Sequence, residues 1–143
     1  MRRRAAADSS GAMEKFVRDQ TTARLNRFAF ELHRAARMRD AEAIHDLRVS
    51  IRRLSQCLRI FRQFFPNKEV KRIHRRLRAV MDLAAVVRNR DIARELLDRA
   101  GGGPPLRARL IEQRKQAERD MVDEIVRISR RELSARWRGQ LGL

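Results

Sequence analysis

The chain has 143 residues, with 35 Lys plus Arg against 18 Asp plus Glu and a formal net charge of +17, a size that suits one domain. Such an excess of cations goes beyond what solubility asks of a small domain and predicts an anionic partner that offsets self-repulsion. No apolar run approaches the roughly 20 residues of a membrane span, the opening Met1-Arg2-Arg3-Arg4-Ala5 lacks the apolar segment of a secretory signal, and Cys57 is the only cysteine, so the expectation is a cytoplasmic protein with no intrachain disulfide and no membrane partner.

Residues 1–11 are small, polar or basic without apolar periodicity and are expected to form a disordered basic tail. From Ala12 to Met38 the pattern turns helical, with Met13, Phe16, Val17, Leu25, Phe28, Leu32 and Ala35 on a loosely spaced apolar face. Asp40 reads as an N-cap for a second helix from Ala41 to about Phe65. There Ile44, Leu47, Ile51, Leu54, Leu58, Phe61 and Phe65 step by three and four. Phe65-Pro66-Asn67 ends it, because proline restricts the residue before it and cannot donate a ladder hydrogen bond. A third helix is predicted from about Lys68 to Ala100, with a seam of Ile73, Leu77, Val80, Ala84 and Val87, and Leu96 and Leu97 near its end. Gly101-Gly102-Gly103-Pro104-Pro105 breaks the chain. The last helix is predicted from about Leu106 to Trp137, with Leu106, Leu110, Ala117, Met121, Ile125 and Ile128 facing the core. No strand pattern occurs, so the fold class is all-α, an up-down four-helix bundle spanning 12–138 with residues 139–143 as a disordered terminus.

Arginine supplies nearly all the positive charge, since only Lys15, Lys68, Lys71 and Lys115 are lysine. A guanidinium presents a planar fork of donors that matches phosphate oxygens in pairs, whereas an ammonium acts as a point charge. On the second helix His45, Arg48, Arg52 and Arg59 fall in a sector roughly 60° wide, centred about 110° from the apolar seam. They form a basic ridge beside the core, with Arg48 and Arg52 a like-charge i,i+4 pair that something must offset. The third helix repeats the device with Lys71, His74, Arg78 and Arg88, and Arg75 at the margin. If the two helices are antiparallel neighbours, the ridges face each other across one groove suited to a linear chain of phosphates.

Other chemistries fit poorly. His45 and His74 keep company with arginines, which repel metal, so no metal site is expected. Asp82, Asp91 and Glu95 lie in or beside basic stretches and suggest ion pairing rather than an acid-base dyad. Gly101 to Gly103 precede proline and lack the following Lys-Ser or Lys-Thr of a phosphate loop. No cofactor and no enzymatic activity are expected.

The run Asp40-Ala41-Glu42-Ala43-Ile44-His45-Asp46-Leu47-Arg48-Val49-Ser50-Ile51-Arg52-Arg53-Leu54, continuing to Leu58-Arg59-Ile60-Phe61, resembles the motif of CHAD domains, the conserved histidine α-helical domain family. Leu77-Arg78 and Val87-Arg88-Asn89-Arg90-Asp91-Ile92 resemble the same family's Arg-Asp-x-Asp motif. The resemblance implies a helical, non-enzymatic domain that binds inorganic polyphosphate, with His45, Arg48, Arg52, Arg53, Arg59, Arg78 and Arg88 carried over by position. Helical geometry adds Lys71 and His74. Ser55 stands where the family usually has a basic residue and Asn89 where it has an Asp. The family's domain usually contains two four-helix halves, so a homodimer completing the groove is expected here, and polyphosphate granules are the implied location. Two alternatives stand beside this reading. One is non-specific nucleic-acid binding driven by net charge, weakened by the few aromatics. The other is a helical interaction module that docks an acidic partner through the last helix, with Trp137 as anchor.

Overall fold

The computed structural model describes residues 2–131 and 135–143, with side chains described for 8–130 and 135–143. Within them the chain is a helical bundle: α1 (Arg2–Met38), α2 (Ala41–Ile60), α3 (Asn67–Arg99), α4 (Pro104–Arg131) and α5 (Ala135–Leu141), with one 3₁₀ turn at Arg62–Phe64. The fold class expected from the sequence is correct, and a short fifth helix joins the four long ones.

Each junction follows from local chemistry. Arg39 closes α1 in the left-handed region, at φ 58°, and its N–H bonds the Ala35 carbonyl at 3.0 Å. Asp40 then caps α2, its carboxylate accepting from the Ala43 N–H at 2.8 Å, which satisfies one of the donors a helix start leaves open. Pro66 precedes α3 and tolerates the missing donor there. At the far end of α3, Gly101 takes φ 68° and the Gly102 N–H reaches back to the Leu97 carbonyl at 3.0 Å, a Schellman closure that favours glycine. Pro104 opens α4 at the position where its fixed φ suits a helix.

Successive helices run antiparallel: Asp46 of α2 meets Arg34 of α1, Ser55 of α2 meets His74 of α3, and Asp91 of α3 meets Arg114 of α4. The core joins Leu25, Phe28 and Leu32 of α1 to Leu47, Leu54 and Leu58 of α2, Ile73 and Leu77 of α3, and Met121 and Ile125 of α4. α1 packs extensively along α2, and α3 along α4, whereas α2 and α3 meet more sparsely. The groove described below opens along that looser seam.

Several expectations are corrected. Backbone helix extends from Arg2, ahead of Ala12, in line with the helix propensity of the alanines there. The expected last helix, from about Leu106 to Trp137, corresponds to α4 and α5, between which residues 132–134 lie outside the described residues. Residues 139–143, expected to be disordered, include the buried Leu141, and the Leu143 N–H bonds the Arg138 carbonyl at 2.9 Å. Trp137 is no surface anchor: it is fully buried and stacks on Phe28 with ring centroids 5.9 Å apart, which removes the residue that the interaction-module alternative relied on. Met13, Phe16, Leu96 and Leu106, expected on core faces, are exposed.

Buried polar groups are held locally. Glu31 of α1 is fully buried, with Arg27 at 2.7 Å and Arg34 at 3.4 Å. Arg34 continues to Asp46 at 2.5 Å, and this bond is the largest cause of its tighter hold on its proton, with Glu31 adding to it. Arg114 of α4 ties three segments, donating to Asp91 at 2.6 Å, Glu118 at 2.7 Å and the Arg39 carbonyl at 2.8 Å. Asp91 and Glu95 thus have the ion-pairing role their setting suggested, Glu95 with Arg99 at 2.8 Å.

Candidate anion-binding groove

Between α2 and α3 lies an open groove of about 390 Å³, lined by Arg52, Ser55, Gln56 and Arg59 from α2 and by His74, Arg78, Met81 and Asp82 from α3. The lining follows from helical register. Arg52, Ser55 and Arg59 step by three and four along α2, and His74, Arg78 and Asp82 step by four along α3. Antiparallel packing brings the two rows together. The His74 ring contributes to the packing itself: Nε2 lies 3.1 Å from the Ser55 carbonyl oxygen. A carbonyl only accepts, so Nε2 carries the proton and Nδ1 is the remaining ring position.

Arg48 extends the groove toward the start of α2. Its Nε is buried without a hydrogen-bond partner. Desolvation first, then the charges of Arg52 and Arg88, make its guanidinium give up a proton more readily than usual. Arg48, Arg52 and Arg88 therefore converge, although they come from two helices. The ridge supplies three cations that repel one another, an arrangement held against its own electrostatics.

Arginines in the described region fall into two populations. Arg34, Arg39, Arg99, Arg114 and Arg127 each have a carboxylate within ion-pair distance. Among the described residues, no ion pair or hydrogen bond engages Arg48, Arg52, Arg59, Arg78 or Arg88. Asp82 is the only carboxylate on the groove wall, and it too has no ion-pair partner among the described residues.

The structure brings Arg48, Arg52, Arg59, His74, Arg78 and Arg88 to the α2–α3 seam. It places His45 and Arg53 elsewhere, in a depression of about 290 Å³ on the α1 side of α2, shared with Arg24 and Arg27. Lys71 is exposed on α3 and does not line the groove. Sequence reasoning missed Arg24, Arg27 and Gln56, since α1 offers no sign of which helix borders α2. Asp82 could have been found, because it sits one helical turn beyond Arg78. Among the described residues no group of three His, Cys, Asp or Glu could hold a metal ion, and no helix is long and apolar enough to cross a membrane.

A comparison with protein families matches the CHAD domain over residues 20–141. Neither the curated proteins nor the solved structures gave a match.

Proposed function

The chain belongs to the CHAD domain family, whose domains bind inorganic polyphosphate and are generally non-catalytic, and from that premise we propose that this protein binds polyphosphate in the groove between α2 and α3, without chemistry of its own. The observation that carries the reading is Arg48, a half-buried guanidinium with an unpartnered Nε, crowded by Arg52 and Arg88. A linear polyphosphate places a negative charge at every phosphate. It would neutralise Arg48, Arg52, Arg59, Arg78 and Arg88 in series and give the Arg48 donor an acceptor. The Nδ1 side of His74 offers a further contact at the groove wall. His45, Arg53 and Lys71, which lie outside the groove, are not needed for its occupancy.

The groove is open to solvent on its outer side, and a second copy of the chain apposed there would complete it as a homodimer. A cytoplasmic location on polyphosphate granules follows if the bound chain is long and itself anchored.

The test is a charge-matched comparison. Arg48→Ala with Arg52→Ala removes two groove contacts, and Arg109→Ala with Lys115→Ala removes the same net charge from exposed positions on α4. Charge-assisted hydrogen bonds contribute about 1.5–3 kcal/mol each, so the groove pair is expected to lose about a hundredfold in polyphosphate affinity or more. The α4 pair is expected to lose only a few-fold. Equal losses would mean that net charge alone attracts the polyanion, as the nucleic-acid alternative requires.

A further inference from the structure

Adjacent residues on a helix point about 100° apart, and Arg52 and Arg53 use that angle to border different flanks of α2. Arg52 lines the α2–α3 groove, and Arg53 lines the depression toward α1 together with Arg24 and His45. The two are not separate. Gln56, three residues from Arg53 and four from Arg52, borders both the α2–α3 groove and a shallow saddle of about 190 Å³. Arg24 and Arg53 border that saddle and the α1–α2 depression alike. Shared bordering residues thus link three neighbouring depressions that succeed one another from Arg78 over the exposed side of α2 to His45.

The charges along this path differ in availability. Asp46, the carboxylate of the α1–α2 depression, is engaged by Arg34 at 2.5 Å, and the buried Glu31 beneath is engaged by Arg27 and Arg34. Those acids are ion-paired with neighbouring guanidinium groups. Arg24 and Arg53 are exposed and take part in no ion pair or hydrogen bond among the described residues. Two uncompensated guanidinium groups thus converge from separate helices beside a groove that already holds cations.

We propose that a bound polyphosphate chain does not end in the α2–α3 groove but crosses α2 at Gln56 and continues into the α1–α2 depression, where Arg24, Arg53 and His45 receive it. The inference rests on the proposed function and adds a second subsite and a length requirement. A helix is about 10 Å across with its side chains, so a ligand of a few phosphates fills one groove, and only a longer chain reaches both.

The experiment uses the full chain with Arg24→Gln and Arg53→Gln, titrated with triphosphate and, separately, with long-chain polyphosphate. Both positions are exposed and unpaired, so the fold is expected to persist, checked by circular dichroism. The expected result is triphosphate affinity unchanged within about twofold, long-chain affinity lowered about tenfold or more, and a salt slope reduced by about two. In the wild-type chain the Gln56 side-chain amide resonances are expected to shift with long-chain polyphosphate more than with saturating triphosphate. Equal loss for both ligands, or no loss for either, would overturn the crossing. In either case retained wild-type binding that Arg48→Ala with Arg52→Ala abolishes would leave the groove reading standing. Absence of wild-type polyphosphate binding would overturn both.

Discussion

Substituting Arg48 by methionine is expected to make the free protein more stable and the ligand-bound protein less so. The side chain keeps about the same length and an apolar stem at a half-buried position, but loses a charge that the structure leaves uncompensated. A buried donor without a partner costs about 1–3 kcal/mol. The residue is only partly buried, so solvent screening places the cost at the lower end, about 1 kcal/mol. Relief of the Arg48 and Arg52 i,i+4 repulsion adds a few tenths of a kcal/mol. For a chain of this size the gain corresponds to a rise in Tm of about 3 °C. Saturating polyphosphate should reverse the order, because ligand that binds only the folded state stabilises it by RT ln(1 + L/Kd) at free ligand concentration L, and loss of a charge-assisted hydrogen bond of about 2 kcal/mol lowers affinity about thirtyfold, more than offsetting the gain in the free protein. Scanning calorimetry with and without polyphosphate, supported by urea titration, reads both effects. A lower Tm for Arg48→Met in the absence of ligand would refute the reasoning, since it would make Arg48 a structural residue whose partners satisfy it.

Asp82→Asn removes the one carboxylate that lines the groove among the described residues and is expected to tighten polyphosphate binding about threefold, through roughly 0.7 kcal/mol of screened repulsion, as isothermal titration would show. Arg114→Leu breaks the bonds to Asp91, Glu118 and the Arg39 carbonyl and is expected to cost about 2 kcal/mol in urea unfolding while leaving polyphosphate affinity nearly unchanged in the fraction that is folded. Trp137→Ala removes a fully buried ring stacked on Phe28 and is expected to cost about 3–5 kcal/mol, read as a lowered thermal midpoint.

Elements were legible in the sequence where one signal dominated. α2 announced itself because its apolar residues keep a three-and-four step and its start carries Asp40. α3 and α4 were delimited by Pro66 and by the Gly101 to Pro105 break. α5 holds two buried residues, Trp137 and Leu141, and their spacing reads in the sequence as a continuation of the preceding helix. The early part of α1 lacks any apolar period and was invisible for that reason.

The candidate site divides in the same way. A helical projection places Arg48, Arg52 and Arg59 relative to their own seam, and that was enough to find the groove once α3 lay alongside. It could not tell which neighbour borders each edge of the sector, so His45, at its margin, was grouped with the wrong flank. The His74 bond to the Ser55 carbonyl depends on the register between two helices, and Arg24 depends on α1 lying against α2. Both are tertiary facts that spacing within one helix does not contain.

The central claim is that the groove recognises a chain of closely spaced phosphates rather than polyanions at large. Calorimetric titration of the wild-type chain with long-chain polyphosphate, RNA and duplex DNA, each at low and physiological salt, tests it most directly. The account predicts polyphosphate binding that persists at physiological salt, with both nucleic acids weaker by about a hundredfold or more. Comparable affinity for all three, falling together as salt rises, would contradict it.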